Sequence, residues 1–462
     1  MIDAKNFPGR GQVAILRTRP ETVLDDYARL LELARYTDNL PKAKATLVKI
    51  NISWQIWYPS CSTAPWQLEG VVKKMIADGY AREKLIATHN DTVVVNGREG
   101  QLNNRHKFIQ DQYGMRTAET YLNDVEWVTY EPKRPFLALD QVYKHGVRIP
   151  KFFYDKNVLH LPTMKTHVFT HVTGAMKNAF GGLLDQRRHW THSVIDETLV
   201  DLLQIQQDIH SGLFAVMDGT LAGEGPGPRA TRWHVKNVIM ASSDPVALDA
   251  AMAKIMGLDP LSLRFIRAAH ERGLGVGDPR AIKFVGDVSA ADENWKFSAY
   301  ENTLASWGQH QIYHGFLHPF EHLLLRTPIV PWSFAASNVY HNWYWFPFIG
   351  KKRADAALKT EWGELLQKKY SPDRPINPGY GSRVPFAAAS GGLVHSERLL
   401  RFTQDKLRKR RILLFDFESN CNNKMLRGVY SERSESTQHD IVTCFFLADL
   451  RSVRFAQDRH LR

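Results

Sequence analysis

The sequence is poor in cysteine. Cys61, Cys421 and Cys444 are its three thiols, and none forms a C-x-x-C pair. That argues against a structural zinc site and against a disulfide framework. It also excludes a self-contained cysteine-ligated iron–sulfur cluster, which needs four thiolates. Long apolar runs are missing as well. A membrane helix needs roughly 20 apolar residues. The best stretch, residues 323–348, is broken by Arg326, Pro328, Pro331, Asn338, His341 and Asn342. The opening residues Met1-Ile2-Asp3-Ala4-Lys5 lack the basic-then-apolar pattern of a secretion signal, so a cytoplasmic location is expected. The chain has neither the spacing of a Walker loop nor a G-x-G-x-x-G fingerprint, and it has no serine-hydrolase elbow. No internal repeat is visible, and the basic residues are mostly spread rather than blocked.

What is present is a chain of 462 residues, 44% apolar, with a formal net charge of +12. That length suggests more than one domain, and that apolar content supports a sizeable core. The positive balance favours anionic partners. Along residues 1–285, strand-like and helix-like patterns alternate. Residues 12–16, 45–50, 85–88, 158–161, 213–217 and 238–241 read as strands, and residues 20–34, 65–76, 194–209 and 245–256 as helices. Alternation of this kind predicts an α/β fold: a mostly parallel open sheet with helices on both faces. Residues 90–150 read as an irregular insertion. Residues 286–384 are aromatic-rich and read as a mainly helical region packed on the α/β domain. Residues 385–462 read as a basic, flexible tail, with Arg398, Arg401, Lys406, Arg408, Lys409, Arg410 and Arg411 near its start.

The densest chemistry follows the apolar run Val158 to Leu161. Within Leu161-Pro-Thr-Met-Lys165-Thr166-His167 and Thr173-Gly-Ala-Met-Lys177-Asn178-Ala-Phe-Gly181-Gly182 stand two lysines, several hydroxyls and three glycines. Open α/β sheets hold ligands just past the carboxyl ends of their strands. Lys49, Asn51, Lys165, Asp218 and Asp244 each follow or end a strand-like run, which predicts one cleft along one sheet edge. In that reading Lys49, Asn51, Lys165, Thr166, Lys177, Asn178, Gly181, Gly182 and Asp244 bind a small anion. His167 or His171 moves a proton, and Asp218 or Glu224 orients the ligand or acts as base. Asp244, just before Pro245, is also an obvious helix cap. His167 and His171 lie four apart, a spacing that could share one helical face and hold a divalent metal, with Asp185, Asp218 or Glu224 adding oxygens. Arg187 and Arg188 oppose a cation there.

These same motifs, with Met217-Asp-Gly-Thr, Glu224-Gly-Pro-Gly-Pro and Ala241-Ser-Ser-Asp-Pro-Val-Ala-Leu-Asp249-Ala, resemble the family called domain of unknown function 362. Lys49-Ile-Asn51, Ser62-Thr63-Ala-Pro65 and the helix to Gly79 are similar to its opening block, and the likeness spans roughly residues 45–280. The resemblance implies an α/β domain and no established activity. Many relatives carry ferredoxin-like cysteine motifs, and this chain has none.

Three functions are therefore weighed. The first is a cytoplasmic enzyme acting on a small phosphate- or carboxylate-bearing ligand. The second is a non-catalytic carrier that delivers a ligand or metallocofactor to a partner protein. The third, and weaker, is nucleic-acid association through the basic tail.

Overall fold

The computed structural model describes residues 2–92, 95–120, 125–327, 330–371 and 373–377. The chain divides at residue 383 into two units, and the described residues all belong to the first. The expected basic tail lies outside them.

The strands are β1 (Gln12–Arg17), β2 (Thr46–Ile50), β3 (Leu85–His89), β4 (Arg116–Glu119), β5 (Trp127–Thr129), β6 (Arg148–Pro150), β7 (Asn157–Leu161), β8 (Thr163–His167), β9 (His171–Thr173), β10 (Gly212–Glu224), β11 (Arg232–Ser242) and β12 (Lys283–Gly286). The main sheet runs β12-β1-β11-β10-β7-β2-β3-β4, with β8 also on β10 and β9 on β8. β5 and β6 form a separate antiparallel ribbon. Most pairings are parallel, as the alternating pattern predicts. β11 runs antiparallel to both its neighbours, and so does β9 to β8.

Strand side chains alternate between two cores, as the pleat requires. Val13, Ile15, Leu47, Val158, Ala215 and Met217 face one, packed by the helices Ile195–Ile209, Pro245–Met256 and Arg264–Glu271. Ala14, Leu16, Val48, Leu159, Phe214 and Val216 face the other, packed by the helices Val23–Leu33 and Pro65–Ala77. Burial on both faces explains why these strands read as nearly continuous apolar runs.

Three features differ from expectation. β10 does not end before Asp218 but runs on to Glu224, because it changes partners. Its first residues pair with β7 and its later ones with β8, while β11 follows it on the other side. Secondly, because β11 is antiparallel, Ser242 pairs with Ala215 near the start of β10. Asp244 therefore stands at the sheet end opposite the carboxyl ends of β2 and β7, away from the predicted cleft. Thirdly, residues 90–150 supply more than an insertion: β4 is the edge strand of the main sheet, parallel to β3. Beyond β12 the described chain is mainly helical, ending in the helix Glu361–Tyr370, whose Trp362, Leu366 and Tyr370 join the second core.

Candidate functional site

The carboxyl ends of β2, β3 and β7–β8 present a band of cations. Lys49, near the end of β2, is buried, and its Nζ donates to the Ile50 carbonyl (2.9 Å) and to Asn90 Oδ1 (3.4 Å). Burial, helped by the nearby Arg188 charge, pulls its pKa down to about 7. Lys165, in β8, is 1% exposed. Its Nζ donates to the Cys61 carbonyl (2.5 Å), Thr163 Oγ1 (2.8 Å) and Ser53 Oγ (3.3 Å). Burial lowers its pKa to about 8. Lys177 sits in the short helix Ala175–Asn178, with Nζ 4.8 Å from the Phe180 ring centre. The side chain is half-buried, and desolvation, then Lys165, lowers its pKa to about 8, with Asp196 pulling the other way.

Two arginines extend the band. Arg188 is buried and donates to the carbonyls of Asp91 and Asp185. Arg229 donates from Nε to the Ser53 carbonyl (3.2 Å), so it meets Lys165 at one residue. Among the described residues, no ion pair joins Lys49, Lys165, Lys177, Arg188 or Arg229 to a carboxylate. Buried cations are ordinarily paired. Here their hydrogen-bond partners are carbonyls and hydroxyls, and the carboxylates that act on them, Asp196 on Lys177 and Asp185 and Asp91 on Arg188, form no ion pair with them.

The expected carboxylates are engaged elsewhere. Asp218 is buried and fully hydrogen-bonded. Its Oδ2 accepts from Tyr27 Oη (2.6 Å) and Trp66 Nε1 (3.0 Å), and its Oδ1 from Thr220 Oγ1 (2.8 Å) and the Thr220 amide (3.1 Å). Burial raises its pKa, while these donors act in the other direction. Glu224 pairs with Arg232 (3.3 Å) and His234 (2.8 Å) on β11 and accepts from the Ser298 amide (3.0 Å). Neither carboxylate bonds a lysine, so neither is the counter-ion of the cationic band. Asp244 spends both oxygens on backbone amides. Oδ1 caps Val246 and Ala247 (3.0 and 3.1 Å), and Oδ2 accepts from Gly11 and Val276, each at 3.0 Å. With its place at the far end of the sheet, that makes it a structural cap rather than a ligand contact.

The histidine arrangement also differs from the helical-face expectation. His167 and His171 are cross-strand partners in the β8–β9 hairpin, because the intervening residues turn rather than coil. His167 Nδ1 accepts from the amides of Phe169 (3.1 Å) and Thr170 (3.4 Å), which places its proton on Nε2. Burial, then Lys177, His192 and Lys165, holds its pKa well below the usual value, so the ring is neutral near pH 7. His171 packs its ring 4.6 Å from that of Tyr300. Among the described residues no three His, Cys, Asp or Glu side chains gather as a metal site.

The remaining predicted residues hold the loops in place. Asn51 donates to the Cys61 carbonyl (3.3 Å) and receives the Ser53 hydroxyl (3.0 Å). Thr166 Oγ1 donates to the Gly225 carbonyl (2.6 Å). Asn178 Nδ2 donates to the Lys49 carbonyl (3.0 Å) and approaches His160 Nδ1 (3.1 Å), tying the Lys177 segment to β2 and β7. Gly181 and Gly182 let the backbone press on this edge: a methyl on Gly181 would meet Asn90 Oδ1 at 2.4 Å, and Gly182 has φ +106°. Asp249 anchors the same segment from the helix Pro245–Met256, accepting from the amides of Ala175 (2.6 Å) and Met176 (3.1 Å).

Two small pockets border these strands. One, of about 340 Å³ including its open mouth, is lined by Ser60, Ser62, Thr63, Thr163, Asp218 and Thr220 among others. The other, of about 180 Å³, is lined by Lys49, His160, Gln206 and His210 with apolar neighbours. Arg188 and Arg229 are the residues the sequence does not reveal as part of this site. Arg188 stands in a histidine-rich stretch that invites a metal reading, and Arg229 follows a Gly/Pro turn. Their spacing to the lysines carries no motif.

Residues 46–254 match the model of a family described as Domain of unknown function (DUF362). Among curated proteins, a thylakoid-associated protein of Synechocystis sp. is 29% identical over 172 residues, covering 34% of this chain and 51% of that protein. The chain thus matches about half the length of this relative. No solved structure matches.

Proposed function

Taking as premise that the chain carries a DUF362 domain over residues 46–254, we propose that it binds a small, multiply charged anion at the carboxyl ends of β2, β3 and β8. The observation that carries this reading is a run of cations, Lys49, Arg188 and Lys165 buried and Lys177 half-buried, that form no ion pair with a carboxylate among the described residues. Each is held below its usual pKa by burial. An anion seated among them would supply the missing charge and lift all of them together. Phosphate and carboxylate groups both meet this need.

His167 is the group we assign to proton transfer on that ligand. Burial, and then the cations around it, keep it neutral. A bound anion offsets those cations, so binding itself brings the imidazole toward a useful pKa. Asp249 and Asn178 act through Lys177, fixing the segment that carries it.

Titration calorimetry of the full chain with inorganic phosphate, pyrophosphate and citrate tests the reading. At least one should bind saturably at neutral pH, and Lys177→Met should weaken it about ten- to a hundredfold, the cost of one charge-assisted contact. Binding untouched by Lys177→Met and Lys165→Met alike, or no binding of any of the three, would contradict it.

A further inference from the structure

A second surface, remote in sequence from the anion site, has a composition of its own. Among the described residues sixteen large apolar side chains are exposed, and twelve of them fall between residues 300 and 349. Six lie on one helical stretch made of Pro331–Asn338, the wider π-turns of Val339–Gly350, and Lys351–Ala357. The wide turns accommodate Pro347, which has no amide to donate and would crowd the preceding turn of a regular helix.

This stretch has two faces. Trp345, Phe346, Ala354 and Ala357 are buried in the second core, where Trp345 meets Tyr58 (5.5 Å between ring centres) and Phe346 meets Trp54 (5.4 Å). Trp332, Val339, Trp343, Tyr344, Phe348 and Ile349 are exposed, Phe348 by 74%. Burial of one face leaves no ordinary reason for so apolar an opposite one.

The charge pattern selects the occupant. Between Glu321 and Asp355 there is no acidic residue, while Arg326, Lys351, Lys352 and Arg353 are all cationic. Lys352 is exposed. Lys351 also reaches Asp355 (2.6 Å), and Arg353 bonds the Thr231 carbonyl (3.1 Å). Tryptophan and tyrosine favour the headgroup level of a bilayer, and lysines beside them favour anionic lipid. No helix of the described residues is long and apolar enough to cross a membrane. We infer that this face docks on an anionic lipid surface, lying in the interface without spanning it.

Flotation of the full chain with vesicles tests this, using phosphatidylcholine alone and phosphatidylcholine mixed with phosphatidylglycerol. The chain should float with the mixed vesicles and much less with the neutral ones. Tyr344→Ser with Phe348→Ser should cut partitioning about tenfold or more while leaving the melting temperature unchanged. If that pair melts lower, Phe348→Ser alone and Lys352→Glu take its place, each expected to weaken flotation. No flotation, or flotation that none of these changes weakens, would overturn the inference. So would a concentration-dependent dimer that Phe348→Ser dissolves, since a second copy would then cover the face.

Discussion

At the residue scale, the site depends on one close packing contact. A methyl on Gly174 would stand 2.0 Å from Asp249 Oδ1, the atom that receives the Ala175 amide. Gly174→Ala should therefore break the anchor of the Lys177 segment. Two buried hydrogen bonds to a carboxyl whose pKa burial raises to about 7 are at stake, so we expect a loss of about 1–3 kcal/mol in urea unfolding, accompanied by weaker anion binding. Wild-type stability in this variant would mean that Asp249 does not hold the segment. Lys177→Met makes the opposite test. It removes a cation that burial already disfavours and keeps most of the apolar bulk, so the unliganded protein should be no less stable than wild type. A large loss of stability would show that Lys177 has a buried counter-ion.

The residue scale also shows what the sequence could reveal. Lys49, Lys165, Lys177 and Asn178 stand together because β2 and β7, whose apolar runs are legible, end beside one another; that Lys165 lies within a further strand, β8, and Lys177 in a short helix is not legible in the sequence. Asp218 misleads because Asp-Gly-Thr reads as a turn. In the fold, Tyr27, Trp66 and Thr220 satisfy its carboxylate inside a continuing strand. No local pattern announces those distant donors.

At the element scale, strand direction is the main thing hidden in the pattern. Placing Asp244 with the lysines assumes that β11 is parallel to its neighbours. The Gly225–Pro228 cluster is in fact the turn of a long β10–β11 hairpin, which reverses β11 and carries Asp244 to the far end. Glycine and proline clusters between two apolar runs are hairpin signals, so this much was available in principle. The chain's last described residues allow another test. Arg105, 2% exposed, donates to Ser371 Oγ (2.6 Å) and to the carbonyls of Arg374 (3.0 Å) and Pro375 (2.9 Å). Asn377 exchanges two hydrogen bonds with the Trp57 backbone (2.6 and 2.8 Å). A chain ending at Arg383 should keep the full-length thermal transition. One ending at Tyr370 strands a buried guanidinium and should melt clearly lower. Equal melting of the two shortened chains would deny these contacts any weight.

At the scale of the whole molecule, the buried Lys49 and Lys165 and the half-buried Lys177 make stability depend on pH. Their pKa values of about 7, 8 and 8 lie below the 10.5 of a solvated lysine. Between those limits the unfolded chain binds more protons than the folded one, so stability rises with pH. Burial raises the pKa of Cys61 and of several tyrosines, which turns the trend downward near and above pH 9–10. The melting temperature of the unliganded protein should accordingly climb from pH 7 to about pH 9. A saturating anion, which favours the charged lysines, should flatten that climb. A melting temperature that falls across this range without ligand would contradict the buried-cation account.

The same linkage gives the most direct test of the central claim. An anion that raises the pKa of Lys49, Lys165 and Lys177 must draw protons from solvent as it binds. Calorimetric titration with citrate, which is fully ionised at pH 8 and has no proton of its own to release, in buffers of different ionisation enthalpy, measures that uptake. We expect net uptake of protons by the protein, with affinity falling as pH rises from 7 to 9 and with uptake reduced in Lys177→Met. Binding without proton uptake, or with affinity that rises over this range, would show that the buried cations are not the anion's site.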